Sequence, residues 1–200
     1  MIPKQYASCA VCGDIHGEFD FLAGKIKRME LSDTLIIVAG DCGIGFDKSE
    51  YYQHVYQRIV KTLKKNNCEL LLVRGNHDDP EYFERELISF PRMKTLPDYS
   101  VVRFRERTVF VCRRRHIDRP SVPHRSNADQ RNQWSFIRKL YWERRSSAVQ
   151  RTSRWRRLKS RGLHIDTVVT HTAPSFCYPT TKRESRCGWT TIPVWAGHRR

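Results

Sequence analysis

The sequence lacks any long apolar run, and the mean hydropathy of its 200 residues is −0.65. A membrane-spanning helix needs about 20 consecutive, mostly apolar residues, so these features exclude an integral helical membrane protein. The apolar stretches nearest the N-terminus, 7–12 and 35–39, are too short for a signal peptide and lead directly into charged residues. We therefore expect no membrane partner.

The sequence also lacks a regular cysteine framework. Its seven cysteines, an odd number, are scattered along the chain, which does not fit a disulfide-stabilised secreted domain. Cys9 and Cys12 have the spacing of a redox or zinc motif, but they lie in an apolar stretch and no second pair completes a zinc site. We assign both to the core and expect a reduced, cytoplasmic protein.

Apolar residues are abundant enough for a packed core, since 39% of the residues are hydrophobic, and the length suits a single domain. Short apolar runs alternate with segments whose apolar residues recur at helical spacing, and this alternation predicts an α/β fold. Buried strands are predicted at 7–12, 34–39, 69–73 and 167–170, with a hairpin formed by 100–104 and 108–112. Helices are predicted at 18–29, 50–65 and 79–87.

Polar side chains and glycines directly follow four of the predicted strands. The segments concerned are Gly13-Asp14-Ile15-His16-Gly17, Gly40-Asp41, Gly75-Asn76-His77-Asp78 and Thr170-His171. The carboxyl ends of strands in an α/β sheet meet in one crevice, so these side chains can converge. Taken singly, each aspartate or asparagine is explained as a turn or N-cap residue, and His171 as a core histidine. Taken together, they predict a metal site.

The types of residue in these segments define the kind of metal. Carboxylate and amide oxygens with imidazole nitrogens suit Mn, Fe, Zn or Ni better than a thiolate site would. A carboxylate can also bridge two metals about 3.5–4 Å apart, the arrangement used for displacement at phosphorus. The glycine-rich run of Gly40, Gly43 and Gly45 lacks the Gly-Lys-Ser/Thr of a nucleotide-binding P-loop, and we assign it to a metal-site loop.

These motifs, in this order, resemble those of the calcineurin-like metallophosphoesterases, closely over residues 7–90 and again over 163–181. The resemblance implies a four-layer αββα sandwich with a dimetal centre at the strand ends. The implied ligands are Asp14 and His16 for the first metal, Asp41 for both, and Asn76 and His171 for the second. His77 would be catalytic, stabilising the transition state or protonating the leaving oxygen, and the nucleophile would be metal-bound water or hydroxide.

The C-terminal part departs from the family pattern. The family ends its site with Gly-His-x-His, whereas this chain has Gly197-His198-Arg199-Arg200, which places an arginine where the second histidine is expected. A cation at that position would repel a metal ion. We therefore interpret His198 as incidental, expect a fold that is incomplete at the C-terminus, and predict weak or absent activity.

Positive charge is distributed unevenly along the chain. Residues 1–112 contain 16 Lys and Arg against 16 Asp and Glu, so the formal net charge of +16 comes entirely from residues 113–200. Arginine and lysine are equally frequent in the first part, but arginine outnumbers lysine 18 to 3 in the second. Residues 113–161 show no helical or strand period. Such a segment is either a solvated tail or a nucleic-acid-binding arm, with Trp134, Trp142 and Trp155 stacking on bases.

A shifted reading frame is a third interpretation of the arginine-rich segment. One permitted codon choice for residues 113–125, read one base later, encodes an apolar, glycine-containing segment that resembles the family's continuation. Residues 182–193, read two bases later, encode an acidic globular segment. We therefore hypothesise frame shifts after Cys112 and after about Thr181, with the original frame restored near 158–163.

The sequence thus predicts a hydrolase of phosphate mono- or diesters that uses two divalent transition metal ions. A single domain would comprise residues 1–200: 1–112 and 163–181 match the family, 113–162 is arginine-rich, and 182–200 is a divergent tail. Two alternatives stay open, a nucleic-acid-binding protein and an inactive remnant. The physiological substrate, the metals and the oligomeric state are not indicated.

Overall fold

The computed structural model of the chain describes residues 6–112 and 162–171. In these two ranges the chain forms eight strands and three helices. They are β1 (Ser8–Cys12), α1 (Phe19–Arg28), β2 (Thr34–Ala39), α2 (Ser49–Lys65), β3 (Glu69–Val73), α3 (Pro80–Glu84), β4 (Ser89–Phe90), β5 (Met93–Leu96), β6 (Ser100–Phe104), β7 (Arg107–Cys112) and β8 (Thr167–Thr170). The arginine-rich segment, the hypothesised frame shifts and the tail with His198 and Arg200 lie outside the described residues.

The strands form two sheets. The first has the order β1-β2-β3-β5-β4, in which every pair is parallel except the antiparallel pair of β4 and β5. The second has the order β6-β7-β8, with β6 antiparallel and β8 parallel to β7. Parallel pairing places the carboxyl ends of β1, β2 and β3 at one edge of the first sheet, which is where the candidate ligands follow.

The first sheet is buried on both faces. Side chains of β2 and β3 alternate between two cores: Ile36, Val38, Leu70 and Leu72 face the helices, and Leu35, Ile37, Leu71 and Val73 face the second sheet. The core between the sheets is completed by Val109, Val111 and Val169. This double burial explains why both strands are uninterrupted apolar runs. The described residues therefore form a mixed α/β structure in which helices pack on one of two stacked sheets.

The two long helices bury the faces that their periodicity predicts. Helix α1 buries Phe19, Leu22, Ala23 and Ile26, and helix α2 buries Tyr52, Val55, Ile59, Thr62 and Leu63. None of the helices in the described part of the chain has the length and apolar character needed to cross a bilayer.

The assignment of Cys9 and Cys12 to the core is confirmed. Cys9 packs against the core between the sheets, whereas Cys12 is buried in the core beneath the helices. Burial raises the pKa of Cys9 to about 11 and that of Cys12 to about 12, so both thiols are unreactive at neutral pH.

The sequence-based prediction was wrong at several element bounds. Strand β1 begins at Ser8 and not at residue 7, α1 spans Phe19–Arg28 and not 18–29, and α2 begins at Ser49 and not at residue 50. The third helix ends at Glu84 and not at residue 87, because the chain turns into strands β4 and β5, which the prediction missed. The second strand of the hairpin begins one residue earlier than predicted, at Arg107. Strand β8 was predicted to be fully buried, but in the described structure only Val169 is, and Val168 is 57% exposed.

Gly24, within helix α1, offers a direct test of this helix. An added Cβ would meet no heavy atom within 4 Å, and the residue lies in the helix interior. Alanine costs less backbone entropy than glycine in a helix, so Gly24→Ala is expected to stabilise the protein by about 0.5–1 kcal/mol. Urea unfolding monitored by circular dichroism measures this, and a loss of stability would contradict the helix packing described here.

Candidate metal centre

Three side chains from three strand ends converge on one point. Asp14 follows β1, Asp41 follows β2, and His171 directly follows β8. One potential ligand atom from each of the three lies within 4.8 Å of those from the other two. The convergence depends on both sheets, because β1 and β2 belong to the first sheet and β8 to the second.

The loops that carry these residues have an unusual backbone. Asp14, His16 and Asp41 have φ values of 50°, 42° and 46°, in the left-handed region that side chains rarely occupy. Backbone hydrogen bonds tie the two loops together. The Asp14 N–H donates to the Gly40 carbonyl at 3.2 Å, the His16 N–H to the Asp41 carbonyl at 2.8 Å, and the Gly17 N–H to the Cys42 carbonyl at 3.0 Å. Strained residues of this kind concentrate at functional sites.

Asp41 is the buried centre of the cluster. Its Oδ1 accepts a hydrogen bond from the backbone N–H of His77 at 3.0 Å, and its Oδ2 lies 3.4 Å from Nε2 of His171. Burial favours the protonated carboxyl, but the hydrogen bonds from His171 and from the His77 backbone, with the charge of both imidazoles, lower the pKa of Asp41 below its ordinary value. Asp41 is therefore a carboxylate ready to bind a cation.

His171 is surrounded by oxygen atoms. Its Nδ1 lies 3.0 Å from the Ala39 carbonyl and 3.6 Å from Oδ1 of Asp14, and its Nε2 lies 2.8 Å from Oδ1 of Asn76. Burial opposes a charged imidazole, but the hydrogen bond and charge of Asp41 raise the pKa of His171, helped by the Ala39 carbonyl and Asp14. A backbone carbonyl at one ring nitrogen is also what orients a metal-binding imidazole.

The two other predicted histidines lie beside this cluster. Nε2 of His77 is 3.9 Å from Oδ2 of Asp41. The His16 ring packs edge-to-face on the His77 ring, with 5.8 Å between the ring centres. The structure therefore brings Asp41, Asn76 and His77 together with Asp14 and His171, while His16 contacts the group through the ring of His77.

Two glycines make the close approach of the loops feasible. Gly40 has a φ of 97°, and a Cβ there would collide with the imidazole of His171. A Cβ on Gly75 would collide with the backbone nitrogen and the carboxylate of Asp41. Each glycine therefore leaves the space that a ligand side chain occupies.

The sequence model of the calcineurin-like phosphoesterase family matches residues 8–196. The chain belongs to this family. It matches no curated protein sequence. Members of this phosphoesterase family are metal-binding hydrolases of phosphoesters, and they normally bind two divalent metal ions.

The donor set of this site fits such ions. Carboxylate oxygens of Asp14 and Asp41, an amide oxygen of Asn76 and an imidazole of His171 form a mixed oxygen and nitrogen site. This set suits borderline divalent transition metals, and the lowered pKa of Asp41 removes the competition from a proton at that residue.

Sequence analysis missed the role of Asp78, which it treated as a turn-forming residue. The side chain is buried, and it accepts hydrogen bonds from four backbone N–H groups of the two ligand loops. Burial raises the pKa of Asp78, and the hydrogen bonds from the N–H groups of Ile44, Gly75 and Cys42 act in the opposite direction. The local sequence does not indicate this role, because the partners of Asp78 lie up to 36 residues away along the chain.

Tyr52 packs on the buried face of helix α2 and has a polar role as well. Its ring is fully buried, and its hydroxyl accepts a hydrogen bond from the N–H of Gly45 at 2.7 Å and donates one to the carbonyl of Gly43 at 3.2 Å. The hydroxyl of Tyr82 donates to the carbonyl of Asp47 at 3.0 Å. Two tyrosines thus fix the loop that follows Asp41.

Proposed function

We propose that this chain hydrolyses phosphate mono- or diesters with two divalent metal ions held at the strand ends. The observation that carries the proposal is the convergence of Asp14, Asp41 and His171 within 4.8 Å, with Asn76 and His77 beside them. The family supports phosphoester hydrolysis in general. The nature of the site, rather than the fold, supports the assignment of residues.

Five residues would hold the two ions. They are Asp14 and His16 for one ion, Asn76 and His171 for the other, and Asp41 for both. When bound, the ions neutralise charge on the phosphoryl oxygens and lower the pKa of a water molecule towards about 7. The protein contributes a carboxylate, Asp41, that is already buried and ionised, so little reorganisation is needed when the ions bind.

His77 is the residue we assign to proton transfer. Its backbone N–H is bound to Asp41, which fixes the residue, while its side chain is 25% exposed and can reach a bound ester. The imidazole would donate a proton to the leaving oxygen from Nε2, or stabilise the charge that develops there. A general acid of this kind contributes a factor of about 10²–10⁴ to the rate.

The test is hydrolysis of bis(p-nitrophenyl) phosphate by the metal-stripped chain after addition of Mn²⁺. The rate is expected to be low, because Arg200 stands where the family has a histidine, but EDTA should abolish it and Mn²⁺ should restore it. His77→Asn is expected to lower kcat about 100-fold or more while KM and Mn²⁺ affinity stay within about twofold.

His54→Asn is the matched control, because His54 is exposed on helix α2. It should leave kcat, KM and Mn²⁺ affinity unchanged. Hydrolysis that survives EDTA, or that His77→Asn leaves at the parent rate, would contradict the proposed mechanism. Absence of Mn²⁺ binding by the folded parent chain would contradict the metal centre itself.

A further inference from the structure

Three successive backbone N–H groups behind Asp41 converge on one side chain. The N–H of Cys42 lies 3.0 Å from Oδ2 of Asp78, and those of Gly43 and Ile44 lie 2.8 Å and 2.9 Å from its Oδ1. Consecutive N–H groups that point to one side form an anion-binding concavity. In this protein the anion is supplied by the chain itself.

The same carboxylate also binds the backbone of its own loop, residues 75–78, which contains Asn76. Its Oδ2 accepts a fourth hydrogen bond from the N–H of Gly75 at 2.8 Å, directly before Asn76. In return, Oδ1 of Asp41 accepts from the N–H of His77 at 3.0 Å. Each of the two loops therefore receives a carboxylate from the other. Four of these hydrogen bonds join the loops, and the bond from Gly75 orders the loop that carries Asp78 itself.

Only a side chain with two acceptor oxygens meets the requirements of this position. Asp78 is 1% exposed, and each of its oxygens accepts two N–H groups. An asparagine has a single acceptor oxygen, and its NH₂ group would face backbone donors. Two of the four N–H groups would then lose their partner in a place where water cannot replace it.

We propose that Asp78 is a positioning residue that holds the loops of Asp41 and Asn76 at the separation required for binding the metal ions. The inference rests on the proposed function, because the binding of two metal ions is what requires this separation of the loops. The hydrogen bonds of the Asp78 carboxylate come from backbone N–H groups of Cys42, Gly43, Ile44 and Gly75, none of which is a candidate metal ligand. Residues that support metal ligands in this way typically change metal affinity or activity about 10–100-fold when they are replaced.

The experiment compares Asp78→Asn with Asp79→Asn in the full chain. Asp79 is the neighbouring residue and caps helix α3 through the N–H of Glu81, a role that asparagine also fills. Mn²⁺ affinity is measured by electron paramagnetic resonance at a temperature where circular dichroism shows each variant folded. Asp78→Asn is expected to weaken Mn²⁺ binding about 10-fold or more and to lower kcat with little change in KM, and Asp79→Asn to change each less than twofold.

Amide hydrogen exchange in the metal-free parent provides a second measurement that needs no variant. The amides of Cys42, Gly43, Ile44 and Gly75 are expected to exchange as slowly as those of β2 and β3. Exchange at the rate of exposed loops would overturn the inference. It would also be overturned by folded Asp78→Asn that binds Mn²⁺ as tightly as the parent, and the proposed function would then stand. A folded parent without Mn²⁺ binding would overturn both.

Discussion

Asp41→Asn is expected to abolish the binding of two Mn²⁺ ions and, with it, the hydrolysis of phosphate esters. The substitution keeps the shape of the side chain but removes its charge and one acceptor oxygen, in the most deeply buried of the three clustered residues. Replacing a group that only supports a ligand already costs about 10–100-fold in affinity, so the loss for a shared ligand should exceed 100-fold. Calorimetric titration of the EDTA-treated protein measures this loss.

Asp47→Asn is the control for Asp41→Asn. Asp47 is exposed in the same loop, and its backbone carbonyl rather than its side chain accepts the hydrogen bond from Tyr82. Metal affinity should therefore stay within about twofold of the parent value. Retention of two tight Mn²⁺ sites in Asp41→Asn would remove Asp41 from the metal centre.

Asp41→Asn should also change the stability of the metal-free protein, by an amount that depends on pH. The pKa of Asp41 is lowered in the folded state. The ionised carboxylate therefore stabilises the fold above its unfolded-state pKa of about 3.9, and this contribution is lost as the pH falls through the folded-state pKa. The pKa of His171 is raised, so its stabilisation is present below the unfolded value of about 6.5 and is lost as the pH rises through the folded pKa.

In the folded state Asp41 and His171 therefore form a charged pair to a greater extent at pH 6 than at higher pH, where His171 loses its proton. In EDTA, Asp41→Asn should destabilise the protein more at pH 6 than at pH 9, as measured by urea unfolding. Nuclear magnetic resonance titration should show a lower pKa for His171 in the variant, because Asp41 is the main group that raises it. An unchanged pKa would contradict the contact between these two side chains.

An element could be predicted from the sequence where the residues of that element alone determine its structure. Strands β2 and β3 match the predicted bounds because parallel strands that are buried on both faces are uninterrupted apolar runs, and such runs are visible in the sequence. Strand β5, by contrast, contains Lys94 and Thr95, and it forms because it pairs with β3, where Lys94 also bonds to Glu69 at 2.9 Å. The residues of β5 alone show no strand pattern, because the strand is stabilised by its neighbour in the sheet.

The candidate site divides in the same way. The ligand loops could be predicted because glycine and a polar residue directly follow each strand. The supporting residues Asp78 and Tyr52 could not, because their function lies in contacts with backbone N–H groups of another loop. A backbone N–H is present at almost every position, so sequence alone does not show which of them converge.

Gly75→Ala is expected to destabilise the protein and to displace Asp41. A Cβ at this position would collide with the backbone nitrogen and the carboxylate of Asp41, and neither can withdraw. The nitrogen belongs to a residue with a left-handed backbone, and the carboxylate is bound to the N–H of His77. Overpacking that forces the backbone to shift costs about 1–3 kcal/mol, and the displaced Asp41 should also lose its metal.

Gly13→Ala is the matched control for Gly75→Ala, because Gly13 precedes Asp14 at the end of β1 in the same way. A Cβ on Gly13 would meet nothing within 4 Å. Alanine there restricts the unfolded chain without a clash, so the free energy of unfolding should stay within about 1 kcal/mol of the parent value. Equal stabilities for the two variants would show that Asp41 does not lie against Gly75, and the geometry on which both the metal centre and the role of Asp78 depend would then be wrong.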